Sequence, residues 1–479
     1  MHERSIFQNI SPLDHRYSLS EKEVFHAVSR WLSEDAAVRA SLKAEAALVA
    51  AHLRTRGSLT ETARRSLDEA ARAVTPQEVY DEEEKTHHNI RALVNVLKRK
   101  MPDKFKTLVH LGATSVDILD TSLAYRMKGV CAAVVLPELR RLELSLCDFA
   151  EREAETPQAG RTHGQHAVPI TLGFAMAEYV SRLGKSILEV ERLSSGLRGK
   201  LAGAVGAYNA LSMITADPQE LERVYLAELG LEPSEHSTQL VEPEYMLRLL
   251  LEINTAFGII ANLADDLRHL QRSEIAELRE GFAGTQVGSS TMPQKRNPWN
   301  SEHVKSLWKA FMPRVVSFYM DQISEHQRDL SNSASQRFIA DYVCGFCMAV
   351  SRMSGVVEGL DVDRERLRYN LEGGGSGGIQ GGVMAEPAYI LLAESGESEA
   401  HEIVRRIILT AEKEGLNFPQ ALRREEAVLR RIAGKMLGLG LITDEAEAPS
   451  FFENPARYRG LAADKARTIA ARYRKLMGG

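Results

Sequence analysis

The sequence predicts an all-α protein organised around a central bundle of long helices. Three observations carry this. Long stretches rich in Ala, Leu, Glu and Arg recur with few breakers, and residues 170–198 contain no proline. From Glu244 to Glu280, Leu249, Ile253, Ala256, Ile260, Leu263, Leu267 and Leu270 alternate spacings of four and three. That repeat suits a helix packed lengthwise against nearly parallel neighbours, and it predicts self-association. The pattern is nearly strandless, which argues against a dinucleotide-binding sheet or a βα barrel.

In chain order, residues 1–20 read as an irregular arm. Its Arg16 offers a planar anion-binding fork and Tyr17 a hydroxyl donor. Residues 21–100 are helical by composition. Helices are predicted over 58–73, with Ser58 as N-cap, and over 81–98, carrying His87-His88-Asn89. Adjacent histidines point to different sides of a helix, so only one readily faces a given pocket. The run His110-Leu-Gly-Ala-Thr114-Ser115-Val-Asp117 then opens a long helix over 116–153, kinked near Pro137. Thr114 and Ser115 suit a cap, Asp117 suits the first turn, and N–H groups at a helix start also receive an anion.

The next break, Gly160 to Pro169, places His163 in a donor-rich loop. Residues 199–243 form a connection holding Ser237-Thr238-Gln239, donors suited to a carboxylate. After the apolar seam, helices resume near Ser301, break around 330–332 and run to about Val357. The glycine-rich segment 372–382 lacks the Lys-Ser/Thr ending of a phosphate loop and reads as a hinge. A small helical domain follows. The predicted domains are 1–110, 111–359 and 360–479.

Composition narrows the function. The chain has 479 residues, 44% hydrophobic and 26% charged, with a net charge of −5. That balance argues against a nucleic-acid scaffold or a basic membrane-surface binder. Four cysteines make no disulfide framework and fit a reducing cytoplasm, and Cys344-Gly-Phe-Cys347 reads as a buried structural pair. The N-terminus lacks an apolar signal core, and no run of about 18 apolar residues occurs. No metal or cofactor motif is seen.

The chemistry concentrates in Gly288-Ser289-Ser290-Thr291-Met292-Pro293-Gln294-Lys295-Arg296-Asn297-Pro298. Gly288 and two prolines keep it out of regular helix. Its hydroxyls, cations and carboxamides suit a reaction in which a proton leaves carbon and charge builds on a carboxylate. The string Ser-Ser-x-Met-Pro-x-Lys-x-Asn-Pro resembles the signature of the fumarase/aspartase superfamily of lyases, and the match is complete. The likeness extends over nearly the whole chain. It is strongest to the branch acting on succinylated purine nucleotides, on four features. These are Ser-Pro-Leu-Asp-x-Arg16-Tyr17-Ser, Gly-x-Thr114-Ser115-x-Asp117 with Asp120-Thr121, Gly-Arg161-Thr-His163-Gly, and Arg328-Asp329-Leu-Ser-x-Ser333 with Arg337.

The resemblance implies a three-domain fold of that type and a division of roles. Arg16, Tyr17, Ser333 and Arg337 would hold a phosphate, with Arg328 lining the nucleotide site. Thr114, Ser115, Gln239, Lys295 and Asn297 would bind the succinyl carboxylates, with Ser290, Arg296 and His110 also in the substrate site. His88 would reach the substrate beside His87 and Asn89, which stand where Arg or Lys and then Asp are usual. His163 would be the general acid, Ser289 the base on carbon, and Glu302 the residue that orients and charges His163. Family pattern, rather than spacing, favours Ser289 over Ser290 and His163 over His110. The resemblance further implies no cofactor and a homotetramer whose sites are built from three chains. Two other readings are an argininosuccinate lyase or carboxymuconate-type cycloisomerase, which needs no phosphate set, and a non-catalytic helical scaffold. The placed acid and base argue against a scaffold.

Overall fold

The computed structural model describes residues 5–281, 291–373 and 379–478. In chain order the first helices are α1 Arg16–Ser20, α2 Lys22–Leu32, α3 Glu34–Thr55, α4 Glu61–Arg72, α5 Pro76–Thr86, α6 Asn89–Lys100 and α7 Ser115–Val130. Then come α8 Leu136–Arg152, strands β1 Pro157–Thr162 and β2 Gln165–Thr171, α9 Leu172–Ser195, α10 Pro218–Ala227 and α11 Glu244–Leu270. The remainder is α12 Trp299–Phe311, α13 Arg314–Met320, α14 Ile339–Glu358, α15 Arg364–Leu371, α16 Ala385–Glu394, α17 Ala400–Glu414, α18 Phe418–Arg424, α19 Glu426–Gly438, α20 Ala448–Glu453 and α21 Ala462–Leu476. The all-α expectation holds. The chain divides into two compact units: Met1–Arg140, Lys185–Gly258 and Ser306–Ser351 form the first, and Arg141–Gly184, Ile259–Lys305 and Arg352–Gly479 the second.

In the first unit α3 is the central element. Ala44, Leu48, Val49, Ala50 and Ala51 are fully buried, and the alanines let neighbouring helices approach closely. Two predicted boundaries shift. The cap of α4 is Thr60, whose hydroxyl accepts from Ala63 N at 3.1 Å, while the Ser58 hydroxyl donates back to Leu53 O at 3.2 Å. The predicted helix over 81–98 is two helices. His87 closes α5 in the left-handed region at φ 52°, and His88 caps α6, its Nδ1 accepting from Arg91 N at 3.3 Å. The kink expected near Pro137 is a π-helical turn, Cys131–Val135, between α7 and α8. A proline lacks the N–H that a regular turn would use, and the wider turn absorbs the mismatch.

The apolar seam lies in α11 as expected. Leu249, Ile253 and Ala256 in the first unit, and Ile260, Leu263 and Leu267 in the second, are each at most 2% exposed within one chain. The seam is therefore satisfied intramolecularly and does not by itself call for a partner. The same burial explains why α11, the one described helix long and apolar enough to cross a membrane, fits a core helix. All four cysteines are free and buried. Burial pushes the Cys131, Cys147 and Cys344 thiols up to about 12, so they are inert at neutral pH.

In the second unit β1 and β2 form an antiparallel hairpin, pairing Pro157 with Thr171 and Thr162 with Gln165 around a bulge between Ala159 and Arg161. The predicted loop around His163 is thus the tip of a hairpin. His163 and Gly164 are its two turn residues, at φ 55° and 73°, and a type I′ turn requires positive φ at both. Gly160 is needed because a Cβ there would lie 2.6 Å from Val168 O. The C-terminal segment has its own core, in which Met384, Leu392, Phe418, Ile432, Met436 and Phe452 are buried together.

Also in this unit, Gly184 on α9 leaves room for the Tyr473 ring of α21 beside Glu143 of α8. Glu143 is fully buried, and neither carboxyl oxygen has a hydrogen-bond partner among the described residues. Burial pushes its carboxyl up to about 9 from an ordinary 4.5. A raised folded-state value means stability that is complete below about pH 4.5 and lost as pH rises through about 9. Glu143→Gln is expected to flatten that slope and to stabilise the protein by on the order of 3 kcal/mol at pH 8. Thermal melts of both proteins at pH 6 and pH 8 check this, and parallel pH dependences would refute it.

Candidate active site

The first unit holds the anion-binding candidates. Thr114 precedes α7 as its N-cap, and its N–H donates to Asp117 Oδ2 at 2.7 Å. Asp117 does more than complement the helix start. It is fully buried and ion-paired with Lys200, itself fully buried, and it accepts from Ala202 N at 3.1 Å and Gly203 N at 3.2 Å. The Thr121 hydroxyl adds reciprocal bonds to the Lys200 backbone, 3.1 Å each way. The end of α7 that presents Thr114 and Ser115 is thereby fixed from beneath.

His88 stands beside this end. Its Nδ1 accepts a backbone N–H, so the neutral ring carries its proton on Nε2, which lies 3.5 Å from Ser115 Oγ. Asn89 turns its Oδ1 back to Ile90 N at 2.7 Å, and His87 is exposed. His110 Nδ1 lies 2.6 Å from Oε1 of the buried Glu45. Burial opposes its charge, but the Glu45 bond and the charges of Glu45 and Asp117 hold it above the usual histidine value.

A second cluster joins two loops of the same unit. Arg328 Nη1 donates to Gln239 Oε1 at 3.2 Å, and Gln239 N donates to Gln327 O at 3.2 Å. The neighbouring Val241 N donates to Asp120 of α7 at 3.0 Å. Burial pushes the Asp120 carboxyl up to about 6, against that hydrogen bond and the charges of Lys200 and Arg328. Gln239 and Arg328, 89 positions apart in the chain, are thus brought together and tied to α7. Arg16 opens α1 and is exposed, with Tyr17 half-buried beside it. Ser333 and Arg337, before and within the single turn Ser335–Phe338, are exposed.

The second unit holds the proton-transfer candidates. His163 is exposed at the hairpin tip. The base of the hairpin is anchored by Arg161, which forms a two-pronged pair with the fully buried Glu277 at 2.5 and 3.1 Å. Glu277 also accepts from Gln158 Nε2 at 2.8 Å and Asn370 Nδ2 at 2.9 Å. Lys295, Arg296, Asn297 and Glu302 line one concavity of about 690 Å³ with Arg268 and Arg272. Glu280 fixes the helix behind it by accepting from Ser301 N at 2.8 Å and Asn300 N at 3.2 Å at the start of α12. Gln271 links the two by donating to Arg296 O at 3.2 Å and accepting from Glu280 N at 2.8 Å. Among the described residues of one chain, no hydrogen bond or ion pair joins His163 to Glu302. Ser289 and Ser290 lie outside the described residues.

Sequence reasoning missed Glu45, Lys200, Glu277 and Glu280. Each is a buried or capping charge whose partner is distant in the chain. The one local signal was a lysine set among small and apolar residues, Lys200-Leu-Ala-Gly-Ala-Val.

Two family models match this chain. One, described as lyase, covers residues 15–310, and the other, described as adenylosuccinate lyase C-terminal, covers residues 324–438. Similar curated relatives include the adenylosuccinate lyase of Pyrococcus abyssi, 32% identical over 94% of this chain and 98% of its own. That of Archaeoglobus fulgidus is 30% identical over 88% and 91%. Among solved structures, a 3-carboxy-cis,cis-muconate lactonizing enzyme from Pseudomonas putida matches with a TM-score of 0.79 at 23% identity, covering 95% of this chain and 98% of that one. A fumarate lyase from Mesorhizobium sp. BNC1 matches with a TM-score of 0.78 at 23% identity, covering 93% and 97%. At that identity these two structures speak for the fold.

Proposed function

The chain belongs to the adenylosuccinate lyase family of C–N lyases, within the fumarase/aspartase superfamily, and from that premise we propose that it cleaves adenylosuccinate to AMP and fumarate. We propose the same elimination on the succinylated imidazole carboxamide ribonucleotide, in purine nucleotide synthesis in the cytoplasm. The observation that carries this reading is the donor set of the first unit. Thr114, Ser115 and the Gln239–Arg328 pair suit carboxylates, while Arg16, Ser333 and Arg337 add exposed donors suited to a phosphate on a chain of net charge −5. A cycloisomerase acting on a dicarboxylate has no use for that second group.

The reaction is a β-elimination. A base removes the proton from the succinyl carbon next to a carboxylate, and the electron pair is held as an aci-carboxylate. It then forms the new carbon–carbon double bond as the C–N bond breaks, and an acid protonates the departing nitrogen. Ser289 is the base in this reading. A free hydroxyl is a poor base near neutral pH, so Lys295 and backbone donors must activate it. Lys295 and Asn297 also stabilise the charge where it develops. His163, exposed on a two-residue turn, is the acid, and Glu302 orients and charges it from another subunit of a homotetramer.

Purified protein mixed with adenylosuccinate is expected to release AMP and fumarate in equal amounts, and Ser289→Ala to slow the release by about 10²–10⁴. Chromatography with argininosuccinate in parallel decides the substrate. Folded protein that leaves adenylosuccinate intact would overturn the proposal.

A further inference from the structure

Glu45 sits in the middle of α3 among buried alanines and leucines and is 0% exposed. Its Oε1 meets His110 Nδ1 at 2.6 Å, and its Oε2 has no hydrogen-bond partner among the described residues. An ionised carboxylate in such a place is costly unless an opposite charge accompanies it. Its contacting partner is His110. That residue is held at φ 63°, a strained conformation for a non-glycine residue that persists only where the surroundings over-determine it. The surroundings do so. His52 Nε2 meets the next carbonyl, Leu111 O, at 2.9 Å, and Gly112 at φ 79° turns the chain toward Thr114.

The charged groups acting on His110 come from three helices. Glu45 on α3 and Asp117 on α7 favour the imidazolium, and Lys98 on α6 opposes it. With Nδ1 committed to Glu45, the remaining donor is Nε2–H. It makes no hydrogen bond among the described residues, and the side chain is 22% exposed, five residues before the start of α7.

We propose that Glu45 is a positioning residue that holds His110 as an imidazolium, so that its Nε2–H binds an oxyanion of the substrate beside the N-terminus of α7. This rests on the proposed reaction. The oxyanion is a carboxylate or a phosphate, and the product arms of the test separate the two sources. A neutral imidazole carries one N–H, and with that proton on Nδ1 toward Glu45 its Nε2 is an acceptor, so only the imidazolium offers Nε2–H to an oxyanion. Glu45→Gln keeps the shape and removes the reason for the charge.

The experiment is the pH dependence of KM and kcat for adenylosuccinate between pH 6 and 8.5. Wild-type KM is expected to stay nearly flat. In Glu45→Gln, KM is expected to rise about tenfold as pH passes the ordinary histidine range, with kcat changed far less. His110→Gln should raise KM at every pH, and adding Glu45→Gln to it should raise KM no further. Glu45→Asp, which keeps the charge, should retain the flat profile. Inhibition by fumarate and by AMP, measured in the same variants, identifies the oxyanion by which of the two weakens. A KM increase in Glu45→Gln that is equal at pH 6 and pH 8.5, or a further increase on the His110→Gln background, would overturn the proposal. Calorimetric titration of wild type and Glu45→Gln with fumarate and with AMP does not depend on turnover. If wild type leaves adenylosuccinate intact, the reaction assignment fails. If both products bind Glu45→Gln and wild type with the same pH dependence, this inference fails separately.

Discussion

Lys200→Met is expected to destabilise the first unit by about 3–5 kcal/mol, because it strands the charge of Asp117 in the interior. Both side chains are fully buried, and each is the other's only ion-pair partner among the described residues. The lower end of the range is favoured, since N–H groups of Thr114, Ala202 and Gly203 still solvate the carboxylate. Those same bonds make the effect local. Amides of the first turns of α7 are expected to lose hydrogen-exchange protection before the rest of the unit does. Substrate affinity should fall with them, since Thr114 and Ser115 stand on that turn. The double variant Lys200→Met/Asp117→Leu is expected to recover part of the loss, because replacing both partners by apolar groups removes the stranded charge. Denaturant unfolding followed at α7 checks both. A loss below about 1 kcal/mol in Lys200→Met would show that the backbone donors alone carry the carboxylate.

What could be read from the sequence follows the range of the interactions. The all-α class, the start of α7 at Thr114, the seam of α11 and the signature loop are set by residues within a few positions of one another. The Asp117–Lys200, Glu45–His110 and Arg161–Glu277 pairs span 83, 65 and 116 positions, and no local pattern announces them. Backbone conformation hid two further features. His87 and His163 both adopt positive φ, which sequence patterns assign to Gly or Asn, so one helix break and one hairpin went unseen. The seam of α11 was read correctly as apolar and buried. Within one chain that seam is already covered, so it does not by itself argue for self-association. An expectation of oligomers therefore rests on family resemblance, and it makes a quantitative prediction.

His163→Ala and Ser289→Ala are each expected to lower kcat by about 10²–10⁴, the usual contribution of a placed acid or base. Their mixture distinguishes how a site is assembled. If a site takes His163 from one chain and Ser289 from another, a chain lacking either residue can still supply the other. In random 1:1 tetramers half the chains carry each intact residue, so about a quarter of the sites receive both. Activity should then recover toward about a quarter of wild type after subunit exchange, from two parents that are each nearly inactive. If both residues come from one chain, every site lacks one of them and recovery stays at the parental level whatever the mixing ratio. The same logic places Glu302. His163→Ala mixed with Glu302→Gln should recover activity only if the carboxylate reaches the hairpin tip from a neighbouring subunit, while the exposed hairpin turn keeps His163 available to it.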